Sequence, residues 1–332
     1  QMRAIVAEKL GSPKDLLIAD TAAQSPRSGE VAINVMAAAV NFADLLVIEG
    51  KYQVRPPLPF VPGKEAAGTI AALGDGVDGL ALGDRVMVQV EHGAFAERLV
   101  APVSHCFPIP DRMSFKEAAA IGIAYQTAYL ALVERAAFQA GETVLVTAAS
   151  GSVGIAAVQL AKAMDCTVIA GLGTMSKAEF VRDNGADYVV DLSGDDLRNS
   201  IRAQVKNCLV GDVDVVIEMI GGEVFAGAVR TLGWCGRLVI VGFTGGVIPM
   251  IKTNYALIKN ITVTGVDRFS YLTHNPDALC RAQAEIFRLF VEGRIHLTIQ
   301  AEYSLEQVVE AFDVIRDRQV RGKVVLLTGG GK

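Results

Sequence analysis

The spacing of apolar positions divides the chain into two textures. In the first, short β-prone runs (Met2 to Val6, Glu30 to Ala39, Ala66 to Leu73, Arg85 to Val90, Phe95 to Val100) are separated by turn residues such as Gly74-Asp75-Gly76 and Gly83-Asp84. Arg55 to Pro62 carries four prolines, which lack a backbone donor and fix φ, so this segment reads as loop.

Past Ser114 the period lengthens. A helix pattern opens at Lys116, and strands then alternate with helices. Strands are expected at 143–148, 167–171, 187–190, 214–218, 237–241 and 261–266, with helices near 152–164, 177–184, 195–207 and 224–232. The Val/Ile runs of these strands are unbroken, as they must be in a parallel sheet covered on both faces. From Asp267 the alternation stops: a helix at 276–292, a strand near 299–303, a helix at 305–317 and a strand at 323–328 remain. That is too little to bury a core alone, so this segment is expected to return and complete the first domain. The reading is an α/β chain with a β-rich domain (1–124 and 267–332) and a doubly wound, six-stranded parallel domain (125–266).

Composition narrows the function classes. A chain of 332 residues accommodates two cores, and 51% apolar against 20% charged residues marks a globular protein. A formal net charge of −5 gives no electrostatic case for a nucleic-acid partner. The most apolar stretch, Ala118 to Val133, contains Gln126 and Thr127 and is too short to cross a bilayer, so no membrane association is expected. The first residues show no charged-then-apolar signal pattern, and five scattered cysteines without a C-x-x-C read as reduced thiols; together these predict a cytoplasmic protein.

The strongest local signal is the apolar strand Val144-Leu145-Val146 running through Ser150-Gly151-Ser152-Val153-Gly154 into an amphipathic helix. This is the dinucleotide-binding pattern with Ala149 in place of its first glycine. Gly151 lets backbone approach a diphosphate, Gly154 lets the helix pack close to the strand, and the amides near Ser152 and Val153 face the anion at the positive end of the helix dipole. The next strand runs to Gly173-Thr174, and no carboxylate follows until Glu179. An acid at this point would hold the ribose hydroxyls of NAD. Its absence, a donor at Thr174 and a cation at Lys177 favour a 2′-phosphate, hence NADPH.

The N-terminal residues Pro62-Gly63-Lys64-Glu65-Ala66-Ala67-Gly68, Leu73 to Val77 and Gly83-Asp84-Arg85-Val86 resemble the medium-chain dehydrogenase/reductase superfamily, whose likeness extends over nearly the whole chain. It implies a GroES-like catalytic domain around a Rossmann domain. Zinc-dependent members carry a cysteine near positions 41–44, a Gly-His-Glu and a four-cysteine lobe. Here Asn41 to Asp44 and Gly63-Lys64-Glu65 stand in those places, the lobe is absent, and His92, His105, His274 and His296 are isolated, so no metal is expected. Val40 to Asp44, Gly50-Lys51-Tyr52, Gly93 to Glu97, Thr127 to Leu132, Gly236 to Thr244, Lys259 to Val266 and Gly322-Lys323 are similar to the zinc-free quinone oxidoreductase and zeta-crystallin group. That resemblance implies Asn41 and Thr127 beside the nicotinamide, Gly242, Phe243 and Thr244 flanking it, and Val266, Asp267 and Lys323 nearby. Some relatives have a tyrosine at the adenosine phosphate where this chain has Leu192, and Lys64 has no assigned role.

The expected reaction is hydride transfer from NADPH to a quinone, with Asn41, Tyr52 and Thr127 as catalytic candidates. A quinone becomes a stabilised anion, so no strong general acid is required; Asn41 orients the carboxamide or polarises the acceptor oxygen, and Tyr52 donates to that oxygen or else merely caps the domain edge. Tyr125 and Tyr129 read as packing residues and Asp44 as a helix-start residue. Two alternatives stand: an NADPH-dependent alkenal or enone reductase, for which protonation at carbon demands a donor such as Tyr52, and a cofactor-binding, non-catalytic, crystallin-like protein. The strand 261–266, apolar and uncharged at a sheet edge, predicts a homodimer paired through that edge.

Overall fold

The structure is a computed structural model and describes residues 1–208, 210–317 and 321–329. The chain opens with β1 (Met2–Val6), β2 (Leu17–Thr21), β3 (Glu30–Val40), α1 (Phe42–Ile48), β4 (Glu65–Leu73), β5 (Arg85–Gln89), β6 (Arg98–Pro102), β7 (Cys106–Pro108) and α2 (Phe115–Tyr129). The short strands β2 and β7 were not expected from the apolar pattern, and α1 was signalled only by the helix-start reading of Asp44. Leu45, Val47 and Ile48 bury one face of α1, which at seven residues is too short to show a period. No helix among the described residues is long and apolar enough to cross a membrane; the apolar stretch from Ala118 onward is instead buried in protein.

The second texture forms β8 (Thr143–Val146), α3 (Ser152–Ala163), β9 (Thr167–Leu172), α4 (Ala178–Asp183), β10 (Tyr188–Asp191), α5 (Leu197–Asn207), β11 (Val213–Glu218), α6 (Gly222–Val229), β12 (Leu232–Ile240), α7 (Asn254–Lys259), β13 (Thr262–Gly265), α8 (Arg268–His274) and α9 (Pro276–Val291). The six strands make one parallel sheet in the order β10-β9-β8-β11-β12-β13. The order reverses between β8 and β11, which creates the crevice at strand ends where doubly wound sheets bind ligands.

The chain then adds β14 (Ile299–Ser304), α10 (Val308–Arg316) and β15 (Lys323–Leu327). β15 lies antiparallel to β3, with Val324 opposite Val40, and completes a seven-stranded sheet in the first unit. Phe312 of α10 meets Phe95 in that unit's core, with ring centroids 6.1 Å apart. Compactness divides the molecule into 1–123 with 297–332, and 124–296. The helices α8 and α9, expected with the returning segment, group with the second unit because Leu279 and Ala282 bury against Leu130.

Candidate functional site

In the second unit, the turn after β8 is shaped by backbone crowding. Ala148 takes a left-handed φ of 48°, and the Ala149 amide donates to the Gly171 carbonyl at 3.1 Å. At Gly154 a Cβ would stand 2.1 Å from the Ala148 oxygen and 2.8 Å from the Ala149 Cα, so only glycine lets α3 lie this close to the turn. Gly151 differs: its φ is −74° and a Cβ there would meet only the Ala148 oxygen, at 3.4 Å. The fold itself asks little of that position. The N-cap residue of α3, Gly151, makes no side-chain hydrogen bond to its first turn, the arrangement in which first-turn amides can receive an anion. Ser150, Ser152 and Val153 are half-buried around this turn.

Beyond β9, Gly173 and Thr174 are exposed and Lys177 is half-buried. Thr174 precedes the short turn Met175–Lys177, and its hydroxyl lies 3.1 Å from that of Ser176, a donor the sequence reading did not single out. Beyond β12, the Thr244 amide and hydroxyl both donate to the Met219 carbonyl, at 2.9 and 3.1 Å, clasping the loop Gly242-Phe243-Thr244 to the end of β11. The Val266 amide donates to Ile240 at 3.0 Å, extending the ladder past β13. Asp267 caps α8, accepting from the Phe269 amide at 3.2 Å. In a parallel sheet all C-terminal strand ends share one edge, so these segments converge there.

Two side-chain groupings on this unit, around Glu218 and Gln126, escaped the sequence reading. Glu218 ends β11 fully buried; it accepts from the Thr147 hydroxyl at 3.0 Å and from the Ile220 and Gly221 amides at 2.9 Å each, tying the turns after β8 and β11 together. Burial pushes its carboxyl up while the backbone donors pull it down. Beside Thr127 on α2, Gln126 donates to Gln283 at 2.8 Å and accepts from the buried Arg268 at 3.0 Å. Tyr125 is buried with its hydroxyl 2.6 Å from Gln159 Oε1, a packing residue with a satisfied polar end as expected.

In the first unit, Asn41 and Lys323 meet across 282 positions of sequence. Lys323 Nζ donates to Asn41 Oδ1 at 2.8 Å, and Asn41 Nδ2 donates to Glu65 Oε1 at 3.0 Å. Lys323 Nζ is 3.6 Å from Glu65 Oε1, while Glu65 Oε2 accepts from the Ile123 amide at 2.8 Å. Lys323 and Glu65 are 3% and 1% exposed, a depth at which a charge persists only when paired. Tyr52 lies apart from this network, half-buried against the Ala7, Val47 and Phe60 cluster, with Lys64 Nζ 4.7 Å above its ring. Among the described residues, no group of three or more His, Cys, Asp or Glu is arranged to hold a metal ion.

Asp44 is the most perturbed acid here. Its Oδ2 accepts the Asn41 amide at 2.8 Å, Oδ1 has no hydrogen-bond partner, and burial pushes the carboxyl from 3.8 up to about 7. Between these values the folded chain keeps a proton that the unfolded chain has lost, so stability falls as pH rises through the window. The full cost, on the order of 4 kcal/mol, is present above pH 7. Asp44→Asn removes this titration. Urea unfolding across pH 4 to 8 is expected to show the variant gaining on the wild type as pH rises; a difference independent of pH would contradict the burial argument.

Comparison with known proteins fits this geometry. A family model described as an alcohol dehydrogenase GroES-like domain matches residues 27–111, and one described as a zinc-binding dehydrogenase matches residues 152–282. The chain is 36% identical over 325 residues to quinone oxidoreductase-like protein 2 of Bos taurus, covering 98% of this chain and 92% of the relative. It is 33% identical to the quinone oxidoreductase of Rattus norvegicus, covering 98% of each. The solved structure of Escherichia coli quinone oxidoreductase complexed with NADPH superposes with a TM-score of 0.88 at 27% identity, covering 98% of this chain and 100% of that one. The chain therefore belongs to the medium-chain dehydrogenase/reductase superfamily, in its quinone oxidoreductase-like group.

Proposed function

We propose that the protein is an NADPH-dependent quinone reductase working without a metal. The observation that carries this reading is the turn at Gly151 to Gly154 on the first strand of the doubly wound sheet, in a chain similar along its length to a quinone oxidoreductase solved with NADPH. In this reading the first-turn amides of α3, with Ser150 and Ser152, hold the diphosphate. Gly173, Thr174 and Lys177, joined by Ser176, receive the 2′-phosphate. Gly242, Phe243, Thr244, Val266, Asp267 and Thr127 of the second unit line the nicotinamide half of the cofactor, and Asn41 is assigned the carboxamide or the acceptor oxygen. Lys323, engaged with Asn41 and Glu65, acts by fixing the Asn41 amide. NADPH when bound supplies a hydride, and the residues orient the two reactants, exclude water and offer a hydroxyl to the acceptor oxygen.

Calorimetric titration tests the cofactor assignment. Thr174→Ala with Lys177→Met is expected to weaken NADPH binding by about tenfold or more, the worth of one or two charge-assisted contacts, and to leave NADH binding unchanged. Equal wild-type affinity for the two nucleotides would sink the 2′-phosphate role. A turnover screen separates quinones from the second reading, alkenal or enone reduction. A quinone is favoured because its reduced oxygen is stabilised by its own ring and needs only a hydroxyl such as that of Tyr52. NADPH binding with no turnover of either class would favour a non-catalytic, cofactor-binding protein.

We also infer a homodimer paired through β13, the terminal strand of the six-stranded sheet. Exposed apolar side chains lie on α7, which leads into that strand: Leu257 is 79% exposed and Ile258 71%. Sedimentation is expected to give twice the 35.1 kDa chain mass, and Leu257→Glu with Ile258→Glu to give monomer. A monomeric wild type would refute the inference. Five cysteines, all free, support a reducing, cytoplasmic setting.

A further inference from the structure

We propose that Lys64 is a positioning residue for proton delivery: its ammonium, set over the Tyr52 ring, favours negative charge on the Tyr52 oxygen and makes that hydroxyl the proton donor to the reduced acceptor. The inference rests on the quinone-reductase reading and adds a role for a residue that this reading leaves unused.

Three observations support it. Lys64 Nζ lies 4.7 Å from the Tyr52 ring centroid and donates to the Glu91 carbonyl at 3.1 Å, so the charge is anchored by a backbone oxygen rather than loose on its stem. Tyr52 packs beside the Ala7, Val47 and Phe60 cluster, which fixes its ring, and Phe60 in turn contacts the His92 ring at 6.1 Å. Deeper in the unit, Glu65 and Lys323 neutralise one another within the Asn41 network.

A cation on a ring face is held more strongly when the ring is electron-rich, and a phenolate is more so than a phenol. The charged groups coupled to this site are Asp44 at the start of α1, Glu65 on β4, Glu91 and His92 after β5, and Lys323 on β15; the Lys51–Glu49 pair follows α1 in sequence. Burial and the Lys64 charge both lower the His92 imidazole, while Glu91 raises it.

The quinone takes a hydride, two electrons and one proton, from the reduced nicotinamide and becomes a hydroquinone monoanion. The O–H bond of Tyr52 breaks as a new O–H bond forms on the product oxygen. The Tyr52 oxygenate, held beside the Lys64 ammonium, regains a proton from water.

The test uses the whole chain in three variants: Lys64→Met, Lys64→Arg and Tyr52→Phe. The first readout is the phenolate absorbance titration of the free protein, with Tyr52→Phe identifying the Tyr52 component. Lys64→Met is expected to move that component to higher pH by about one unit or more, as loss of one nearby charge requires, and Lys64→Arg to restore it. The second is kcat/KM for a neutral para-quinone against pH, expected to fall about tenfold in Lys64→Met with the NADPH dissociation constant unchanged. If Lys64→Met leaves both the Tyr52 titration and the rate profile where they were, the proposal is overturned. If the titration moves but the wild type reduces no quinone, the reductase reading fails and the Lys64–Tyr52 coupling stands.

Discussion

Gly154→Ala is expected to abolish measurable nucleotide binding and to lower stability, although Gly to Ala inside a helix ordinarily adds about 1 kcal/mol. The sign is reversed by close approach. The new Cβ would sit 2.1 Å from the Ala148 oxygen, 2.8 Å from the Ala149 Cα and 2.9 Å from the Ala148 carbonyl carbon. All three are backbone atoms, so no rotamer change relieves the contact and α3 must lift off the turn. Overpacking of this kind costs roughly 1–3 kcal/mol, and a shift of about 1 Å in the amides lining a ligand is enough to cost on the order of 100-fold. Gly151→Ala is the matched control. Its Cβ would meet one atom at 3.4 Å in a backbone conformation any residue adopts, so stability is expected to stay near wild type. If a diphosphate approaches that backbone, Gly151→Ala nevertheless loses affinity. Wild-type NADPH affinity in both variants, measured by calorimetry alongside urea unfolding, would remove this turn from the binding site.

Lys323→Met is expected to destabilise the protein by about 3–5 kcal/mol, the usual result of removing one partner from a buried ion pair. The substitution leaves Glu65, 1% exposed, without its cationic partner while the Asn41 and Ile123 amides still donate to it, and strips Asn41 Oδ1 of the Lys323 donor. Lys323→Met with Glu65→Gln removes both charges and is expected to recover much of the loss, so the two effects are strongly non-additive. Urea unfolding of the two single variants and the double variant measures the coupling. A loss below about 1 kcal/mol for Lys323→Met would show that Glu65 finds other compensation. Because Lys323 holds the Asn41 amide, kcat is expected to fall in any Lys323→Met protein that remains folded.

The elements were legible where period and length agree. The parallel strands read clearly from their unbroken apolar runs, because burial on both faces leaves no polar alternation to obscure them. Short elements were not: α1 and α7 span seven and six residues, too few for a helical period to emerge. β12 begins at Leu232, well before the expected 237, across a register shift in its pairing with β11 that local composition does not announce.

The candidate site divides along the same line. The strand, the glycine turn and the helix start around Gly154 were readable because they are contiguous in sequence and the turn follows from backbone sterics; the nucleotide contacts given to Gly151, Thr174 and Lys177 are proposals. The partners of Glu65, Glu218 and Gln126 were not, since nothing in an isolated glutamate or glutamine says what it will face. Sequence by itself determined the two textures, the succession of strands and helices along the chain and the glycine turn after β8, all consequences of local period and conformational freedom. Only the tertiary structure decided that Lys323 closes on Asn41 and Glu65, that Glu218 ties two strand ends together, and that Lys64 lies over Tyr52, because those contacts depend on which strands become neighbours.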